Sequence, residues 1–73
     1  MPSFPDRLKE LRNAKGVTQK AMAEYLGITE RAYSKYEYAL REPNHGTTIK
    51  LADYFGVSID YLMGRTDNSQ INK

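Results

Sequence analysis

The sequence predicts an all-helical fold of five short helices in one compact domain, and three observations carry that prediction. No segment alternates apolar and polar residues over the length of a strand. Apolar residues recur instead at three- and four-residue spacing, as on one face of a helix. Gly16, Gly27 and Gly56 close three of these stretches, and Thr18, Thr29 and Ser58 follow as residues able to cap the next helix. The chain has 73 residues, enough to bury about 60% of the unfolded surface in a single core.

The first helix runs from about Pro5 to Lys15, turns Leu8 and Leu11 inward with Phe4 one turn earlier, and stops before Gly16. Proline is tolerated in a first turn, whose N–H groups have no intrahelical partner. Thr18 caps a second helix that ends at Leu26 and buries Met22, Ala23 and Leu26. Gly27 takes the left-handed conformation that lets the chain reverse at once, and Thr29 caps the third helix. Two short helices joined by a tight glycine turn, with the small Ala23 allowing close approach, are the sequence form of a helix-turn-helix.

On the third helix, Tyr33, Tyr36 and Leu40 fall on one side, the core side. Arg31, Lys35 and Tyr38 fall on the other, flanked by Glu30 and Ser34. Taken singly these are ordinary solvated side chains. Together they make a face on which every member can hydrogen-bond. Arginine can fork onto guanine and glutamate can accept from a cytosine amino group, and both Glu30 and Arg31 lie at the helix start, the part that reaches base edges in a major groove.

A loop from Arg41 to Gly46 follows, containing Pro43, Asn44 and His45, and Thr47 or Thr48 begins a fourth helix whose Leu51, Ala52 and Phe55 face inward up to Gly56. Ser58 caps a fifth helix through Met63. The division expected is a domain over 1–66 and a polar tail over 67–73.

RLKELRNAKGVTQKAMAEYLGITERAYSKYE, the Arg41-Glu42-Pro43 that follows it and LADYFGVSIDYLMGRTD resemble, in order and spacing, the phage-repressor-like DNA-binding domains of Cro and lambda-repressor (XRE) type. The resemblance covers roughly residues 5 to 67. It implies a five-helix lambda-repressor-like fold. It implies too that Gln19 binds a phosphate and braces the third helix, and that Arg12 and Glu37 form a partly buried ion pair joining helices 1 and 3. Tyr38 departs from the charged or small polar residue more usual there. Ala39 stands where the family commonly has glycine, so the third helix is expected to run on to Leu40.

The expected function is sequence-specific binding of double-stranded DNA by a transcriptional regulator, a repressor in the first instance. Glu30, Arg31 and Lys35 are the candidate base readers, and Gln19, Thr29, Ser34, Tyr38, Arg41 and Asn44 the candidate backbone contacts. A homodimer on a near-palindromic site is expected, with an interface sought around Tyr61, Leu62 and Ile71, although Leu62 is equally a core candidate. Two alternatives stay open: an antitoxin-type regulator that also binds a partner protein, and a helical interaction module that does not read DNA.

Composition narrows the classes. Eleven Lys and Arg against nine Asp and Glu give a net charge of +2, so cations useful for DNA must gather on one face. Lys20, Arg31, Lys35 and Arg41 are the candidates. With no cysteine and a single histidine, His45, which reads as a loop residue, neither a metal site nor a catalytic dyad can be assembled. No glycine-rich phosphate loop or nucleophile elbow is present. No cofactor and no enzymatic activity are therefore expected. The absence of a secretory pattern and of a long apolar run points to a cytoplasmic protein without membrane contact.

Overall fold

In the computed structural model, residues 3–68 are described, and the regular elements among them are five α-helices: α1 (Phe4–Lys15), α2 (Gln19–Leu26), α3 (Glu30–Glu37), α4 (His45–Phe55) and α5 (Ile59–Leu62). Ile71, a candidate interface residue, lies outside the described residues.

Side-chain caps set the start of four helices. Thr18 Oγ1 accepts from the Ala21 N–H at 3.0 Å, Thr29 Oγ1 from Ala32 at 3.0 Å, Asn44 Oδ1 from Thr47 at 2.8 Å, and Ser58 Oγ from Tyr61 at 3.0 Å. Each such cap contributes about 1 kcal/mol relative to alanine. The Asn44 cap moves the start of α4 upstream of Thr47 and Thr48, and makes His45 its first residue instead of a loop residue. Between α2 and α3, Gly27 at φ 71° lets the Ile28 N–H return to the Ala23 carbonyl at 3.0 Å, so only three residues separate the helices.

Helix α3 stops at Glu37 and does not continue to Leu40. Ala39 adopts φ 61°, the one non-glycine residue in the left-handed region among those described. The Leu40 N–H bonds back to the Lys35 carbonyl at 2.9 Å, completing the backbone closure usually made with glycine. The left-handed residue turns the chain off the helical stripe, so Leu40, expected on the core face, is 73% exposed. A Cβ in this conformation costs about 1 to 2 kcal/mol. Glycine would remove that cost but gives back part of it through a freer unfolded chain. Ala39→Gly is therefore expected to stabilise the domain by about 0.5 to 1 kcal/mol, a rise of roughly 2 to 8 °C in a thermal melt for a chain of this size. An unchanged or lower midpoint would contradict a strained Ala39.

The core gathers Phe4 and Leu8 from α1, Met22 and Ala23 from α2, Tyr33 and Tyr36 from α3, Leu51 and Ala52 from α4, Val57 before α5, and Leu62. Leu11, Leu26 and Phe55 pack at its edge, half-buried. Leu62 is completely buried, which removes it from the candidate interface. Arg7, read from sequence only as part of the opening motif, is buried too. Its guanidinium lies 3.8 Å from the centre of the Tyr61 ring, and its Nη2 is 3.2 Å from Asp67 Oδ1. One side chain of α1 thus holds both α5 and the segment after it, and covers the Tyr61 ring.

Tyr33 is fully buried and its hydroxyl makes no hydrogen bond. Burial, and then the nearby Glu37 carboxylate, push this phenol above its ordinary value, against a smaller pull from Arg12. A raised folded value means stability that is complete below the unfolded value near 10 and is lost as pH rises beyond it, by at most about 1.4 kcal/mol per pH unit. Thermal melts between roughly pH 10 and 11.5 should therefore fall more steeply for the parent chain than for Tyr33→Phe. Equal slopes would show that Tyr33 is not the responsible group.

Candidate nucleic-acid interface

The face that α3 presents to solvent follows from which residues it buries. Tyr33 and Tyr36 point into the core, their rings meeting edge to face at 6.2 Å. Glu30, Arg31, Lys35 and Tyr38 are consequently exposed on the remaining surface, and Ser34 is half-buried between the two faces. The Ser34 hydroxyl donates to the Arg31 carbonyl at 2.9 Å, so a bond to a phosphate oxygen requires it to rotate away from that carbonyl. No described carboxylate lies within ion-pair distance of Arg31, Lys35 or Arg41. Their charges are available to an external partner.

A buried polar junction holds this helix in place. Arg12 of α1 forks onto Glu37, with Nε 2.6 Å from Oε2 and Nη2 3.1 Å from Oε1, and its Nη1 donates to the Val17 carbonyl at 3.0 Å. Gln19, the first residue of α2, donates from Nε2 to Glu37 Oε1 at 3.2 Å. The side chain of Glu37 has no exposed surface, and that of Arg12 is 13% exposed. Burial alone would raise the Glu37 carboxyl, but the hydrogen bonds from Arg12 and Gln19, with the Tyr33 hydroxyl close by, outweigh it and hold the group below its ordinary range. The Arg12 guanidinium is raised in return, chiefly by Glu37. The charged pair is the stable form, and it fastens the last turn of α3 to α1 and to the start of α2.

The other candidate contacts divide by how much of their hydrogen-bonding capacity the fold consumes. Gln19 keeps one amide hydrogen beyond its bond to Glu37. Thr29 uses an oxygen lone pair as a cap and keeps its hydroxyl hydrogen, and Asn44 likewise keeps its amide donors. Tyr38, at the C-terminal end of α3, is 61% exposed. Arg41 is exposed in the loop after it. Arg12, Gln19 and Glu37 thus form one network behind α3, whereas Arg41 and Asn44 belong to the loop that leaves it. Among the described residues no group of His, Cys, Asp and Glu is arranged to hold a metal ion, and no helix is long and apolar enough to cross a membrane.

The chain is similar to known proteins in sequence and in fold. The SPbeta prophage-derived HTH-type transcriptional regulator YonR of Bacillus subtilis is 46% identical over 63 residues, which are 86% of this chain and 58% of that protein. The HTH-type transcriptional regulator ImmR of the same organism is 42% identical over 71 residues, 97% of this chain and 56% of that protein. The chain thus spans less than two thirds of the length of these relatives. Among solved structures, the solution structure of the DNA-binding domain of the P22 c2 repressor superposes with a TM-score of 0.80 at 28% identity, covering 97% of this chain and 92% of that one. Residues 8–62 match the helix-turn-helix family, and they contain the cap, turn and junction residues described above, so the chain belongs to that family.

Proposed function

We propose that this chain binds double-stranded DNA sequence-specifically and regulates transcription as a repressor, with α3 docked in the major groove. The observation that carries this reading is the exposed, hydrogen-bonding face of α3, free of internal ion pairs and held rigidly from behind by the Arg12–Glu37 junction. Glu30, Arg31 and Lys35 read base edges. Gln19, Thr29, Ser34, Tyr38, Arg41 and Asn44 set the register on the phosphate backbone. The similarity to HTH-type regulators and to a repressor's DNA-binding domain supports the same reading. A single domain of this kind buries only about 600 to 1,000 Å² on DNA, so two copies related by a two-fold axis occupy an inverted repeat, about one helical turn between half-sites. The place of action is the cytoplasm.

The test is selection of bound duplexes from a random DNA pool at moderate salt, followed by sequencing. An enriched inverted repeat is the expected result. A pool that stays random at every salt concentration would remove DNA reading as the function.

A further inference from the structure

Of the exposed side chains on α3, Glu30 is the one whose charge opposes a polyanion. It lies in the first turn of the helix and makes no side-chain hydrogen bond or ion pair with a described residue. Its neighbours one turn further on offer no cation, because Tyr33 is buried and the Ser34 hydroxyl donates to the Arg31 carbonyl. Thr29 already caps the Ala32 N–H, so Glu30 is not needed to satisfy that donor. An acid in a first turn favours the helix dipole, but that contribution is the same whatever DNA is bound. On a chain with a net charge of only +2, an uncompensated carboxylate beside the groove also subtracts from the attraction to phosphate on every sequence.

We infer that Glu30 determines specificity by exclusion: its carboxylate admits cytosine at one position of the half-site and weakens binding to every sequence that presents no amino group there. The inference rests on the DNA-reading function proposed above and assigns to one residue both a base and a penalty. A carboxylate accepts hydrogen bonds and donates none. In the major groove guanine presents N7 and O6 and thymine presents O4, all acceptors, which a carboxylate meets with repulsion. Adenine presents its N6 amino group beside the acceptor N7, so a carboxylate meets one attraction and one repulsion. Cytosine presents its N4 amino group with no acceptor of its own beside it. The order of preference is therefore cytosine, then adenine, then the other two. The cost of holding an unpaired acid on this face is recovered only where that amino group is found, which widens the gap between the correct site and all others. Glutamine has the same size without the charge, and its amide matches adenine N6 and N7 together. Exchanging the two residues thus separates base reading and charge from shape.

The experiment uses the whole chain. Selection from the random duplex pool is run in parallel with the parent, Glu30→Gln and Glu30→Ala, after thermal melts confirm folding. Each protein is then titrated against the parent's selected duplex, its single-base variants and an unrelated duplex. The parent should require cytosine at one position of the half-site and lose about tenfold or more when that base is replaced. Glu30→Gln should return adenine at that position and leave the others as they were. Glu30→Ala should accept any base there. Both variants should bind the unrelated duplex about threefold or more tightly than the parent, having lost a charge that opposes phosphate. Variants that return the parent's sequence at every position, a base other than cytosine at the position they alter, or unchanged affinity for the unrelated duplex would each overturn the inference. DNA reading would stand in those cases, and Glu30 would serve the helix dipole alone. A parent chain that enriches no sequence would overturn the proposed function and this assignment with it.

Discussion

Arg12→Ala is expected to destabilise the domain by about 3 to 5 kcal/mol, because it leaves the Glu37 carboxylate buried without its principal partner. At about 0.05 to 0.15 kcal/mol per residue, a chain of 73 residues has only about 4 to 11 kcal/mol of stability. The variant should therefore stand near its unfolding threshold at neutral pH. The cost comes from an orphaned charge more than from a lost attraction, so removing both charges with Arg12→Met and Glu37→Leu should recover most of it. Chemical denaturation of the single and double variants distinguishes the two origins, and equal losses in both would show that the pair itself is net stabilising.

The pH dependence of the same variant has a definite sign. In the parent, Glu37 is held below its unfolded value near 4.3. Its contribution is present above that value and is lost as pH falls through the lower, folded one. Without Arg12, burial becomes the dominant influence and places the folded value above the unfolded one. Protonation then relieves the variant, whose deficit relative to the parent should shrink as pH falls from 7 towards 4. A deficit that stays constant across that range would mean that Glu37 finds another partner or reaches water.

Arg31→Ala should weaken binding by about 1 to 3 kcal/mol at one base position and relax selectivity there, the magnitude of one bidentate arginine–guanine contact. Arg31 is exposed and has no ion pair with a described carboxylate, so its removal should leave the melting temperature unchanged. Gln19→Ala provides the contrast. It should weaken all sequences alike through loss of a phosphate contact, and it should also lower stability by about 1 kcal/mol, because Gln19 donates to the buried Glu37. Binding measured against a panel of single-base variants of the selected site separates the two. Uniform losses for both variants would defeat the division between base reading and positioning.

The features legible in the sequence are those decided within three or four residues of themselves. Thr18, Thr29 and Ser58 cap helices because the donor each satisfies lies three positions ahead, and Gly27 turns the chain because it has no Cβ. The split of α3 into a tyrosine face and a charged face follows from helical periodicity alone, and burial of Tyr33 and Tyr36 agrees with it. The partnership of Arg12 with Glu37, 25 positions apart, came into view only through resemblance to a known family, and the structure supplies its geometry.

What the tertiary structure decided are the places where a local preference lost to packing between distant segments. Alanine at 39 favours continuing a helix, yet the path to α4 requires the left-handed turn, and Leu40 leaves the core side as a result. Arginine is seldom buried unless it is paired, but α5 brings the Tyr61 ring beneath the Arg7 guanidinium and Asp67 comes to its edge, and Arg7 becomes buried. The caps of α2, α3 and α5, the glycine turn between α2 and α3 and the exposed polar face of α3 were thus determined by the sequence itself, since their energies lie in caps, turns and periodicity. The end of α3, the burial of Arg7 and the exposure of Leu40 were decided by tertiary structure, because they depend on which remote side chains arrive at the same point in space.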